Sequence, residues 1–95
     1  MAFYTYLLAS RRGGTLYCGH TDDLGKRIWE HKEKVYRGFT AKHDVALLVW
    51  YETHDTREAA FIRERQIKEW HRKWKVRLIE ERNRRWLDLY ETLNQ

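Results

Sequence analysis

The spacing of hydrophobic and polar positions predicts an alternation of short strands and amphipathic helices. The stretch FYTYLLA, which starts at Phe3, and the stretch GTLYCG, which ends at Gly19, are rich in aromatic and β-branched residues. The turn signal RRGG, from Arg11 to Gly14, lies between them. The two stretches therefore predict a β-hairpin.

A helix is predicted directly after the hairpin. Leu24, Ile28 and Val35 recur at helical spacing in the stretch DDLGKRIWEHKEKV. We expect Thr21 or Asp22 to cap the first turn, because short polar side chains accept hydrogen bonds from unpaired amides there. The following stretch GFTAKHD is typical of a loop or short turn.

A third strand and a second helix are predicted next. The run ALLVWYE has the length and apolar character of a covered strand. The stretch DTREAAFIRERQIKEW opens with a capping box, formed by Asp55 and Glu58, and places Ala60 and Ile67 on one side. This pattern strongly favours a helix.

The C-terminal stretch KVRLIEERNRRWLDLYETL predicts further helix. Val76, Ile79, Trp86 and Tyr90 follow helical spacing, so we expect either one helix or two helices with a break near Asn83. The element order is then β-β-α-β-α-α. This order predicts an α+β fold in which helices flank a small three-stranded, mainly antiparallel sheet.

Composition narrows the class of protein. With 95 residues and no internal repeat, the chain is expected to form a single domain over 1–95. No apolar run is long enough for a membrane span or a secretory signal, which predicts a soluble, cytoplasmic chain without a membrane partner. Cys18 is the only cysteine, so an internal disulfide and a cysteine-based zinc cluster are excluded.

Charge adds a candidate binding surface. The net charge is +5, and the segment from Arg63 to Arg85 contains ten Lys or Arg residues but only four Glu residues. Basic and aromatic residues alternate in WHRKWK and RNRRW, a pattern that can hold phosphates and stack bases. The candidate nucleic-acid contacts are Arg72, Lys73, Lys75, Arg82, Arg84 and Arg85.

The same stretches have a second interpretation. Their tryptophans could belong to the core, with the basic residues forming an ordinary solvated surface. If Trp70, Trp74 or Trp86 is exposed, a homodimer or a partner protein would cover it.

Two pairs of polar residues could carry chemistry. Tyr6 and Tyr17 lie on the two arms of the hairpin, where they could be cross-strand neighbours that either pack or exchange protons. Arg27 and His31 lie four residues apart and share one helix face, which could be solvated or could grip phosphate and transfer protons.

Glu64 occupies an unusual position for a carboxylate. On a helical wheel it lies about 40° from Ala60 and about 60° from Ile67, at the edge of the buried face. A buried carboxylate requires a partner, which could be an arginine or a divalent cation that also binds phosphate. Because Mg²⁺ and Mn²⁺ retain most of their waters, a single carboxylate can hold either ion.

These positions together resemble a known family. The motifs Tyr4-Thr5-Tyr6 and Tyr17-Cys18-Gly19, with Arg27 ten residues after the second motif begins and Glu64 on a later helix, are similar to those of the GIY-YIG nuclease superfamily. The resemblance is strongest to its small single-domain bacterial, UPF0213-like members and covers almost the whole chain. Tyr4 and Thr5 replace the Gly-Ile of the first motif, and Cys18 replaces the Ile of the second.

The resemblance implies a function, a cofactor and a partner. It implies a metal-dependent endonuclease that hydrolyses phosphodiester bonds in DNA, in repair or recombination. One divalent ion, Mg²⁺ or Mn²⁺, would be held by Glu64. The alternatives are a nucleic-acid-binding module for DNA or RNA that does not cleave, and a protein-interaction adaptor.

The resemblance also implies roles for the other site residues. Arg27 would offset charge on the phosphoryl oxygens in the transition state. Tyr6 would orient or deprotonate the attacking water, with Tyr17 in hydrogen-bonding support and His31 helping to move the proton. Gly19 would allow a tight turn from strand to helix. Cys18, which alternates with Tyr17, is expected to be a small buried hydrophobe.

Overall fold

The centre of the fold is a three-stranded antiparallel sheet. A computed structural model describes residues 1–35 and 37–93. Its strands are β1 (Phe3–Ala9), β2 (Leu16–Thr21) and β3 (Leu47–His54). β1 pairs with both neighbours, so the strand order is β2-β1-β3 and β2 is an edge strand. The predicted α+β architecture is confirmed.

Helices follow the hairpin and the third strand. They are α1 (Leu24–Lys32), α2 (Phe39–Lys42), α3 (Arg57–Glu69), α4 (Arg72–Arg82) and a short 3-10 helix (Leu89–Thr92). α2 lies where the sequence favoured a loop or turn, and its four residues amount to a single helical turn. Among the described residues, no helix is long and apolar enough to cross a membrane.

The two faces of the sheet have separate hydrophobic clusters. On one face Tyr6 and Leu8 pack against α1 through Leu24 and Ile28. On the other face the cluster of Leu7, Ala9, Cys18, Ile67, Ile79 and Trp86 joins the sheet to α3 and α4. Because side chains alternate along a strand, neighbouring residues of β2 point to opposite faces. Buried Cys18 belongs to the second cluster, as expected.

The start of α1 differs from the prediction. Asp23 is the capping residue, and its carboxylate accepts a hydrogen bond from the amide of Lys26. Thr21 instead accepts a hydrogen bond from the amide of Asp23, while Asp22 pairs with Arg57. The prediction of Thr21 or Asp22 as the cap is therefore wrong by one or two residues.

The other helix ends show two similar shifts. α1 ends at Lys32, so Val35 lies outside the helix and is exposed. At the start of α3 the cap is Thr56, whose hydroxyl accepts from the amide of Ala59, rather than Asp55. Both Asp55 and Thr56 have suitable side chains, and the chain begins its helical turn one residue later than the capping box suggested.

The C-terminal region follows the second of its two predicted alternatives. α4 stops before Asn83, whose side chain donates hydrogen bonds to the carbonyls of Val49 and Leu87 and accepts one from the amide of Leu87. Trp86 then adopts a left-handed backbone conformation, with φ of 58°. These hydrogen bonds turn the chain back across β3.

The tryptophans consequently divide between core and surface. Trp86 is only 4% exposed and belongs to the core cluster, and its indole N–H donates to Glu80. Trp70 is partly buried against the same cluster, whereas Trp74 is 54% exposed. Trp86 therefore follows the core alternative that the sequence left open, and Trp74 follows the surface alternative.

Candidate active site

Tyr6 is positioned by the strand pairing of the hairpin. It lies opposite Gly19 in the β1-β2 ladder and is completely buried. A Cβ atom built on Gly19 would lie 2.6 Å from the Tyr6 hydroxyl oxygen and 2.7 Å from Cζ. The predicted role of Gly19, a tight turn from strand to helix, is therefore wrong: Gly19 lies within β2, where its missing side chain makes room for the phenol.

A chain of hydrogen bonds extends from Tyr6 to α2. The Tyr6 hydroxyl lies 3.2 Å from His31 Nε2, and His31 Nδ1 lies 3.0 Å from Thr40 Oγ1. Burial lowers the pKa of His31, and the nearby Arg27 charge lowers it further. A neutral His31 with its proton on Nδ1 satisfies both contacts, because it donates to Thr40 and accepts from Tyr6.

Tyr17 completes an aromatic cluster around these groups. It pairs with Leu8 rather than with Tyr6, so the two tyrosines are diagonal neighbours across the ladder. Its ring centroid lies 6.4 Å from that of Tyr6 and 5.6 Å from that of His31. Burial raises the pKa of Tyr6, and Tyr17 raises it further, while Arg27 acts in the opposite direction. The Tyr6 hydroxyl therefore keeps its proton at neutral pH.

A cleft lies beside this cluster. Its volume is about 440 Å³, and it is lined by Tyr17, Arg27, His31, Gly38, Phe39 and Thr40. Arg27 lies one helical turn before His31 on α1, as predicted, and its Nε is 3.5 Å from a carboxylate oxygen of Glu30. The cleft thus has a permanent positive charge and an imidazole in its wall.

Glu64 is buried on α3 and has two direct partners. The residue is 8% exposed; Oε1 lies 2.7 Å from His20 Nδ1, and Oε2 lies 2.8 Å from Lys68 Nζ. Of the two partners that the sequence left open, an arginine or a divalent cation, the arginine is therefore not among its direct contacts. Burial by itself raises the pKa of Glu64, but the hydrogen bonds from Lys68 and His20 outweigh it, and the pKa is lower than usual. Glu64 is ionised at neutral pH.

The five predicted catalytic residues do not all contact one another. Cys18 and His20 alternate with Gly19 along β2, so Glu64 meets His20 on the α3 side of the edge strand. Tyr6 and the cleft lie on the α1 side. The Glu64 charge also raises the pKa of Tyr6, by less than burial and Tyr17 do.

The six candidate nucleic-acid contacts are spread over the molecule. Arg72 donates to the carbonyls of Gly13 and Gly14 in the hairpin turn. The Lys75 charge partly offsets the rise that burial causes in the pKa of Cys18 on β2. Lys73 is exposed on α4. The anchoring of Asn83 to Val49 instead places the segment of Arg82, Arg84 and Arg85 beside β3, at the sheet edge opposite β2. These three do not line the cleft.

Three residues around the site were not predicted from the sequence to belong to it. Lys68 follows Glu64 by four residues, a spacing that predicts an ion pair on a helix. His20 follows Gly19 on β2, and strand alternation predicts that its side chain lies on the same face as that of Cys18. The alternation does not identify Glu64 as the partner of His20. Thr40 lies in the stretch assigned to a loop and gave no signal. Among the described residues, no group of three or more His, Cys, Asp and Glu side chains could hold a metal ion.

Comparison with known proteins identifies the family of this chain. The family model described as the GIY-YIG catalytic domain matches residues 2–77. A UPF0213 protein of Haloquadratum walsbyi is 39% identical over 67 residues, which are 70% of this chain and 75% of that protein. A UPF0213 protein of Staphylococcus saprophyticus is 35% identical over 78 residues, which are 82% of this chain and 94% of that protein.

A solved structure shows the same fold. The solution NMR structure of a UPF0213 protein from Bacillus halodurans matches with a TM-score of 0.52 and 26% sequence identity, over 87% of each chain. The resemblance of the two tyrosine motifs is thereby confirmed. The family model and the curated relatives each cover most of the chain, and the chain therefore belongs to the GIY-YIG nuclease family.

Proposed function

We propose that this protein is an endonuclease that hydrolyses phosphodiester bonds in DNA with one divalent ion, Mg²⁺ or Mn²⁺. The observation that carries the proposal is the hydrogen-bonded chain of Tyr6, His31 and Thr40 beside the Arg27 cleft. The family consists of nucleases, which act on nucleic acids and typically use a divalent metal ion. Such an activity would serve DNA repair or recombination.

Glu64 is the residue we assign to the metal ion. Its carboxylate is ionised at neutral pH and offers oxygen ligands, which are the donors that Mg²⁺ and Mn²⁺ prefer. An ion bound there would polarise the scissile phosphate and stabilise the leaving oxygen. The donor set of this chain therefore fits a single divalent ion that takes its remaining ligands from water and phosphate.

The proton path follows from the pKa shifts. Since Tyr6 keeps its proton at neutral pH, a free phenolate is not the resting base. His31 Nε2 can instead accept the Tyr6 proton while the Tyr6 oxygen takes a proton from the attacking water. The water oxygen then forms the new bond to phosphorus, and the bond to the leaving sugar oxygen breaks.

Arg27 and Tyr17 control access to this path. Tyr6 is completely buried, so a water reaches its hydroxyl only after a neighbouring side chain moves. Arg27 interacts with Tyr6 and also lines the cleft, and a phosphate in the cleft would draw its guanidinium away from the phenol. Tyr17 would support the phosphate from the cleft wall.

A cleavage assay tests the proposal. Purified protein is incubated with labelled duplex, branched and single-stranded DNA and with RNA, in the presence of Mg²⁺, Mn²⁺ or a chelator, and products are separated on denaturing gels. We expect DNA cleavage that requires a divalent ion. Tyr6→Phe should lower its rate by at least about 100-fold, because the path through the hydroxyl is lost.

Tyr51→Phe is the matched control. Tyr51 lies opposite Tyr6 on β3, and its substitution should change the rate by less than about twofold. Salt-dependent binding to DNA or RNA with no product under any metal would instead support the non-cleaving binding module.

A further inference from the structure

His20 is an ionisable residue beside Glu64 that the proposed proton path does not use. It lies in β2 directly after Gly19, and its side chain is 26% exposed. The imidazole packs edge-on against Phe61 of α3, with ring centroids 5.6 Å apart and an interplanar angle of 72°. The ring therefore packs on Phe61 with Nδ1 towards Glu64, and the side chain is partly open to solvent.

We infer that His20 is a second protein ligand of the divalent ion, and that its nitrogen makes the site favour Mn²⁺ and later first-row ions over Mg²⁺. This inference rests on the proposed function, because it requires that Glu64 binds the ion. It assigns a role in metal selection to a residue outside the two tyrosine motifs.

The spacing of the two donor atoms suits a shared ion. His20 Nδ1 and Glu64 Oε1 lie 2.7 Å apart. Two adjacent ligand atoms of an octahedral ion, each bound at about 2.1 Å, lie about 3.0 Å apart. An ion bound to both atoms lies off the line that joins them, so the imidazole and the carboxylate must each turn by about 45° when the ion replaces the proton that they share. The imidazole then carries its proton on Nε2 and offers the Nδ1 lone pair.

Lys68 determines which carboxylate oxygen is available. Its ammonium lies 2.8 Å from Oε2, whereas Oε1 faces His20. An ion at Oε1 therefore gains the imidazole as a ligand and keeps the Lys68 contact on the other oxygen. Because the His20 side chain is partly exposed, the ion can enter from solvent without unfolding the edge strand.

Ligand chemistry gives the direction of the selectivity. Mg²⁺ binds oxygen ligands and loses its waters reluctantly, so a nitrogen donor adds little to its affinity. Affinity for nitrogen-containing sites rises along the first-row series from Mn²⁺ to Co²⁺ and Ni²⁺. A His20–Glu64 pair should therefore bind Mn²⁺ more tightly than a site with Glu64 alone, while its affinity for Mg²⁺ stays almost the same.

Pulsed electron paramagnetic resonance of the full chain with Mn²⁺ tests the inference. The wild-type spectrum should show hyperfine coupling to one directly bound ¹⁴N nucleus. His20→Gln keeps a hydrogen-bond donor beside Glu64 but removes the imidazole, so the coupling should vanish. The ratio of Mn²⁺ to Mg²⁺ affinity, measured by competition, should fall about tenfold.

His54→Gln is the matched control. His54 is another partly buried histidine, and its Nε2 lies 3.3 Å from Oε1 of Glu52. This variant should retain the nitrogen coupling, and thermal melts of all variants should verify that each is folded. A nitrogen signal that survives in folded His20→Gln would overturn the inference, whether or not it also survives in His54→Gln.

The remaining outcomes separate this inference from the proposed function. Mn²⁺ binding that Glu64→Gln abolishes, but that shows no nitrogen coupling in the wild type, overturns the role of His20 and leaves Glu64 as the metal ligand. Mn²⁺ binding that is unchanged in Glu64→Gln overturns both, as does the absence of Mn²⁺ binding at millimolar concentration.

Discussion

Gly19 shows how the absence of a side chain shapes this site. The Tyr6 ring passes over Gly19 with no room for a Cβ atom, and the Tyr6 hydroxyl then reaches His31. A glycine in a strand interior normally weakens the strand, so its presence in β2 needs a packing reason. The close approach of the phenol supplies that reason and links the strand pairing to the proton path.

Gly19→Ala should therefore damage both stability and activity. The added methyl group forces the Tyr6 ring to shift, and we expect a loss of about 1–3 kcal/mol in the free energy of unfolding in urea. Gly25→Ala is the control, because it lies in α1 with open space around it and should raise stability by about 0.5–1 kcal/mol. Equal effects of the two substitutions would contradict the packing role of Gly19.

His31 should make stability depend on pH. Its pKa is below the ordinary value of 6.5 in the folded state, so below pH 6.5 the unfolded chain binds more protons. The stability that the neutral ring contributes is complete above pH 6.5 and is lost as the pH falls towards the folded pKa. Each pKa unit of difference corresponds to about 1.4 kcal/mol.

The measurement compares urea unfolding of wild type and His31→Gln between pH 7.5 and pH 5. The variant should lose less stability on acidification than the wild type, since a glutamine side chain does not titrate. Identical pH dependence of the two proteins would show that His31 is not held neutral by the fold.

Helix boundaries illustrate what periodicity can and cannot predict. Residue type and run length predicted the three strands, whereas helical spacing predicted α1 and α3, each of which buries one face against the sheet. Helical spacing gave the end of α4 only as one of two alternatives, because the break depends on the hydrogen bond from Asn83 to Val49, 34 residues away. The left-handed conformation of Trp86 depends on the same tertiary contact.

The position of the α1 cap can be tested directly. Asp23→Ala should lower the free energy of unfolding by about 1 kcal/mol, because it removes the acceptor for the Lys26 amide. Asp22→Ala removes only an exposed ion pair with Arg57 and should cost less than about 0.5 kcal/mol. A larger loss of stability in Asp22→Ala than in Asp23→Ala, measured by chemical denaturation, would instead identify Asp22 as the cap, one of the two residues that the sequence predicted.

The sheet divides the candidate site into two parts across one edge strand. Tyr6, Tyr17, Arg27 and His31 could be placed together from the hairpin and from the four-residue spacing on α1. The contact of Glu64 with His20 could not, because it depends on how α3 packs against β2, whereas the four-residue spacing of Glu64 and Lys68 can be read on α3 alone. The basic residues beside β3 were predicted as nucleic-acid contacts because basic and aromatic residues alternate there, and their role stays a prediction.

In the proposed cleavage reaction Glu64 and the cleft act together, although β2 separates their contacts. Cleavage of labelled DNA by Glu64→Gln tests this most directly, with Glu69→Gln, an exposed position on the same helix, as the control. We predict that Glu64→Gln reduces metal-dependent cleavage by at least about 100-fold and remains folded, while Glu69→Gln cleaves as the wild type does. Wild-type rates of cleavage by folded Glu64→Gln would contradict the account.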